Sequence, residues 1–83
     1  MAEGLPAISR VDLIHLLEQD GWKIGRKATH GVSLSKAYPS GVRVTVVPTR
    51  TRSLPTGTLR AILSVKQTGL GRRGLQRLLE TYG

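Results

Sequence analysis

Four residues able to hold a phosphate or move a proton lie within five positions of one another: Arg26, Lys27, Thr29 and His30, in the run WKIGRKATHGVSLSK at 22–36. An imidazole has an unperturbed pKa of roughly 6.5, close to cellular pH, so it both accepts and gives a proton. Cations beside it disfavour a further positive charge, which keeps the ring neutral and competent as a base. The same cations hold a phosphodiester and stabilise the charge that builds on its non-bridging oxygens. RNA carries its own nucleophile, the 2′-hydroxyl, so one base with electrostatic support suffices to cleave it without a metal. A lone histidine among basic residues is more often a surface or nucleic-acid contact than a catalyst, so the residues alone favour the plain contact. The other histidine, His15, sits off the apolar stripe of its helix beside Asp12 and Glu18 and reads as a solvated side chain.

The elements that must position this cluster follow from the spacing of apolar residues. Trp22, Ile24 and Arg26 alternate with Lys23, Gly25 and Lys27, which predicts a strand with Trp22 and Ile24 on the core face. After a turn near Ala28, Val32 and Leu34 alternate with Ser33 and Ser35 in a second strand. His30 shares the parity of Val32 and Leu34. It therefore reaches a substrate only from the strand's mouth, or through a bulge near Gly31. Tyr38-Pro39-Ser40-Gly41 is turn chemistry. Val42 to Val47 reads as a third strand, Val44 and Val46 alternating with Arg43 and Thr45, and Pro48 ends it.

Helices flank this meander. Ser9 is a natural N-cap answered by Asp12, and Leu13, Ile14, Leu16 and Leu17 form one buried stripe of a helix running to about Asp20. Gly21 supplies the left-handed residue that stops it. Thr49-Arg50-Thr51-Arg52-Ser53 is an exposed basic loop whose Arg50 and Arg52 can meet phosphates. A second helix opens over Leu54–Arg60, capped by Thr56 or Thr58, with Leu59, Ile62 and Leu63 inward and Gly69 as its stop. A last short helix, from about Arg72 to Tyr82, carries Leu75, Leu78, Leu79 and Tyr82 on one side, with Gly74 as a weak point inside it.

The length of 83 residues allows one domain, read here as a loose leader over 1–8, a core over 9–70 and the C-terminal helix over 71–83. With no Phe and one Trp, the core rests on Leu, Val and Ile. The absence of Cys removes disulfides and thiolate metal sites, and two distant histidines argue against a metal centre, so neither metal nor cofactor is expected. No signal peptide and no apolar run of about 20 residues is present, which predicts a cytoplasmic protein without a membrane partner. The net charge is +8 and uneven: residues 1–40 hold five cations and four acids, residues 41–83 eight cations and one acid. Such a field draws polyanions, nucleic acid first among them.

Taken together, Leu13-Ile14-His15-Leu16-Leu17-Glu18-Gln19-Asp20-Gly21-Trp22, the Ala28-Thr29-His30 corner, and Val44-Thr45-Val46 followed by Leu54-Pro55-Thr56-Gly57-Thr58-Leu59-Arg60-Ala61-Ile62-Leu63 resemble the HicA (YcfA-like) family of toxin–antitoxin ribonucleases. These stretches occur in the family's order across most of residues 9–70. Ala28-Thr29 stands where the family usually has Gly-Ser, and Pro48-Thr49-Arg50 where it often has Pro-x-His. The resemblance implies an α+β fold like a double-stranded-RNA-binding domain, α-β-β-β-α with an additional short C-terminal helix, its antiparallel three-stranded sheet covered by helices on one face. It also implies cleavage of mRNA by His30 as general acid/base and inhibition by a HicB-type antitoxin that shields His30. In this reading Thr29 and Lys27 support His30, while Arg26, Lys36, Arg43, Arg50 and Arg52 bind RNA. Two alternatives stand beside it: a non-catalytic RNA-binding module on the same fold, and a helix-turn-helix DNA binder using Arg72, Arg73 and Arg77.

Overall fold

The structure, a computed structural model, describes residues 8–28, 31–49 and 54–83. Helix α1 spans Arg10–Gln19; strands β1, β2 and β3 span Lys23–Ala28, Gly31–Tyr38 and Gly41–Pro48; helices α2 and α3 span Thr56–Ile62 and Gly71–Tyr82. The strands form one antiparallel sheet in the order β1-β2-β3, the expected meander.

The first helix begins and ends as its sequence dictates. The Ser9 hydroxyl accepts from the Asp12 amide at 3.1 Å, and Ile8, just before the cap, joins Leu13 in the core as a hydrophobic staple does. The core thus extends into the end of the segment read as a loose leader. At the far end Gly21 takes φ +101°. The Trp22 amide donates to the Leu17 carbonyl at 2.9 Å and the Gly21 amide to that of Glu18 at 3.0 Å. This is a Schellman ending, with Trp22 and Leu17 both buried as its apolar contact.

Register assigns the two faces of the sheet. Ile24, Leu34 and Thr45 lie across from one another, as do Lys27, Val32 and Val47. Leu34, Thr45, Val32 and Val47 are buried, so this is the face under the helices. The opposite face carries Lys23, Ser35 and Val44 in one row and Arg26, Ser33 and Val46 in the next. The alternation read in β3 is therefore present, but with Thr45 turned inward and Val42, Val44 and Val46 outward. Thr45 is accommodated because its hydroxyl donates to the side-chain carbonyl of Gln67, and a buried hydroxyl with a partner costs little.

Ala28, near which the turn was expected, is the last residue of β1. One expectation is corrected. Helix α2 stops at Ile62, well short of Gly69. The loop after it captures the carbonyls that a longer helix would have used: the Thr68 amide and hydroxyl both reach the Ile62 carbonyl, at 3.0 and 2.8 Å, and the Gly71 amide donates to Leu63 at 2.9 Å. The C-terminal helix, expected from about Arg72 to Tyr82, is present over 12 residues. It passes through Gly74 because a Cβ there would come within 2.8 Å of the Leu70 Cβ, so glycine lets the Leu70 side chain lie against the first turn. Leu75 and Leu78 are buried and Leu79 packs on the core, as the spacing predicts, whereas Tyr82 is exposed.

Candidate active site

The sheet register sets the ends of the strands that adjoin the candidate residues side by side. Ala28 pairs with Gly31, and Gly31 pairs on its other side with Pro48. Both chain segments that leave the sheet here, the connection at 29–30 and the stretch after Thr49, therefore start from adjacent positions. Thr29, His30, Arg50 and Arg52 lie outside the described residues. Gly31 is packed tightly at this corner: a Cβ on it would stand 2.7 Å from the Val46 Cγ1 and 3.2 Å from the Val47 carbonyl oxygen.

A bulge interrupts β1 at Gly25. The register of β1 against β2 shifts between Ile24 and Arg26, and an extra residue reverses the facing of everything beyond it. Without that shift Arg26 would follow Ile24 under the helices. With it Arg26 joins the open face opposite Ser33, and Lys27 falls on the helix side opposite Val32. Both cations are exposed, at the end of the sheet nearest the connection. A glycine inside a strand pattern is the signal that marks such a bulge.

Lys36 and Arg43 lie elsewhere. They face each other near the β2–β3 turn, five pairs from Gly31 and Pro48, or roughly 17 Å along the strands at 3.4 Å per residue. The Lys36 ammonium donates to the Asp20 carbonyl at 2.6 Å and meets the Asp20 carboxylate at 3.3 Å, and the Trp22 indole donates to that same carboxylate at 3.3 Å. Arg43 donates to the carbonyls of Val65 and Gln67 at 2.7 and 3.2 Å. Both cations also approach the Tyr38 ring, at 5.2 and 5.9 Å from its centroid. These two side chains fasten the sheet to the end of α1 and to the α2–α3 connection. This bracing was not read from the sequence, although an Asp immediately before the Gly21-Trp22 helix ending was its visible trace. Lys36→Met is accordingly expected to lower stability by about 1 kcal/mol and to leave RNA cleavage per folded molecule within about twofold, read by thermal melting and a cleavage assay side by side.

Against known protein families, residues 11–70 match the one described as "HicA toxin of bacterial toxin-antitoxin". The chain belongs to the HicA toxin family. Comparison with curated proteins and with solved structures found no match. The HicA match runs from the first turn of α1 through the sheet and α2 to the doorstep of α3, and contains all three stretches on which the resemblance was read. HicA toxins are in general ribonuclease toxins paired with an antitoxin, so a toxin role and a partner of that kind come with the family. For this HicA toxin no helix among the described residues is long and apolar enough to cross a membrane. No group of three or more His, Cys, Asp and Glu among the described residues could hold a metal ion. His15 is exposed, as expected of a solvated residue.

Proposed function

We propose that the chain is an mRNA-cleaving endoribonuclease in which His30 is the general acid/base. Thr29 and Lys27 support it, and Arg26, Arg50 and Arg52 guide the phosphate. The observation that carries this reading is the register at the sheet's end. Arg26 and Lys27 lie in the last three residues of β1, Ala28 and Gly31 flank Thr29-His30 in the chain and pair with each other, and Pro48, two residues before Arg50, pairs with Gly31. The imidazole takes the proton of a 2′-hydroxyl, the freed oxygen attacks the adjacent phosphorus, and the bond from phosphorus to the 5′-oxygen breaks. The imidazolium then returns its proton to that departing oxygen. The products are a 2′,3′-cyclic phosphate and a 5′-hydroxyl, and the step needs no metal. Lys36 and Arg43 add to the positive field that draws RNA in, at a distance from the reacting bond.

The deciding experiment is cleavage of a single-stranded transcript in a chelator by the full chain. Cleavage is expected to persist, and to stop when the ribose at the cleaved position lacks its 2′-hydroxyl. Tight RNA binding with no cleavage of any substrate would instead favour the non-catalytic module. The helix-turn-helix alternative loses support from residues 63–70, a connection between α2 and α3 longer than the 3–4-residue turn of that motif. A further expectation concerns Arg26. Each phosphate contact on single-stranded RNA releases counterions, so Arg26→Ala is expected to weaken binding evenly across sequences. It should also reduce the slope of log affinity against log salt by about 0.7, measured by titration at several ionic strengths.

A further inference from the structure

The open face of the sheet has a use that RNA cleavage does not explain. Val42, Val44 and Val46 stand on it in a row, 66, 50 and 52% exposed, and no strand among the described residues pairs beyond β3. Ser33 and Ser35 of β2 keep the middle of this face low, and Lys23 and Arg26 of β1 stand exposed on its other side, roughly 10 Å from the valines at two strand spacings. An apolar row and a cationic row therefore run side by side across a floor of small residues.

We propose that this face is the seat of the antitoxin, which lays apolar side chains over Val42, Val44 and Val46 and carboxylates against Lys23 and Arg26. The inference rests on the chain being the toxin of a toxin–antitoxin pair. RNA satisfies the two cations but gains little from covering valines, since its backbone is polar and a valine row offers its bases no aromatic ring to stack on. A second copy of this chain covers valines but sets one +8 molecule against another, with cation facing cation. An acidic protein surface with apolar centres satisfies both rows, and like charges placed opposite one another are what a specific interface avoids. The row Arg26–Ser33–Val46 adjoins the row Ala28–Gly31–Pro48. A protein seated on the valines consequently extends to the end of the sheet from which Thr29-His30 departs. Inhibition then follows from obstruction and from loss of Arg26, without any contact to the imidazole being required.

The test uses the full chain co-expressed with its antitoxin and purified as the complex. Val44→Asp is expected to weaken that complex about 30-fold or more, as for a central interface residue. Val65→Asp, on a valine 80% exposed in the α2–α3 connection, should leave it unchanged, and both free variants should cleave RNA as the parent does. With an amine-reactive label, Lys23 is expected to be protected in the complex while Lys66 reacts as in the free chain. Val42→Ser, a milder change on the same row, should weaken the complex about fivefold and keeps the test open where Val44→Asp fails to fold. Parental affinity in both row variants, or full labelling of Lys23 in the complex, overturns the proposal. So does a dimer of the free chain that Val44→Asp dissociates while antitoxin affinity stays parental, which would assign the face to a second copy. A fall in RNA binding by Val44→Asp in step with antitoxin binding would assign it to nucleic acid and overturn it likewise. Protected Lys23 with no RNA cleavage by the parent chain supports the docking face and sinks only the ribonuclease reading.

Discussion

His30→Ala is expected to slow cleavage of a single-stranded transcript by about 10²- to 10⁴-fold, the range a positioned general acid/base supplies. That corresponds to roughly 3–5 kcal/mol of transition-state stabilisation. Single-turnover kinetics with enzyme in excess measures it, because that format isolates the chemical step from product release. RNA affinity should stay within about threefold of the parent value, since a single imidazole adds little to binding dominated by attraction between many cations and the phosphates. The pairing of the two readouts matters. A loss of rate alone assigns His30 to proton transfer, whereas rate and affinity falling together would make it a contact residue. A slowing of less than tenfold would dispose of the assignment altogether. The described histidine, exposed His15 on α1, gives the internal comparison, and His15→Ala should leave the rate unchanged.

What the sequence disclosed about this molecule depended on whether the deciding interaction was local. The cap at Ser9, the ending at Gly21 and the leucine stripe of α1 rest on contacts within one turn of chain, and each was legible. The meander was legible too, because alternation and the turn at Tyr38–Gly41 are short-range signals. The end of α2 was not: the carbonyls of Ile62 and Leu63 are taken by Thr68 and Gly71, six and more positions on. The facing of β3 was also hidden. Strict alternation gives two possible faces, and the partners that satisfy the polar residues of the inner one, Gln67 for Thr45 and Val65 and Gln67 for Arg43, lie 22 or more residues away. For the candidate site the cluster of residue types could be read directly. The facing of Arg26 and Lys27 could not, because it turns on the one-residue bulge at Gly25. Lys36 and Arg43 show the same gap: a cation in a strand of a basic chain suggests a polyanion, and their carbonyl partners belong to other elements.

Leu34→Ala is expected to destabilise the fold by about 2–5 kcal/mol, the cost of lost transfer energy plus an unfilled cavity in a rigid core. Leu34 is fully buried at the middle of the central strand, between Ile24 and Thr45 and beneath the helices. A domain of this size has a total stability on the order of 5–15 kcal/mol. The variant should therefore melt roughly 10–30 °C lower, and at the lower end of parental stability it would be largely unfolded at 37 °C. Val44→Ala is the informative companion. Val44 belongs to an equally regular alternation and is no less apolar by composition, yet it stands half exposed on the open face. Its truncation should cost well under about 1 kcal/mol. Thermal or urea unfolding of the two variants compares the faces directly. If the order came out reversed, with Val44 the costly residue, β3 would have to be turned over in the sheet. Val42, Val44 and Val46 would then lie under the helices and Thr45 and Val47 on the open face, taking with them the argument for an apolar docking row.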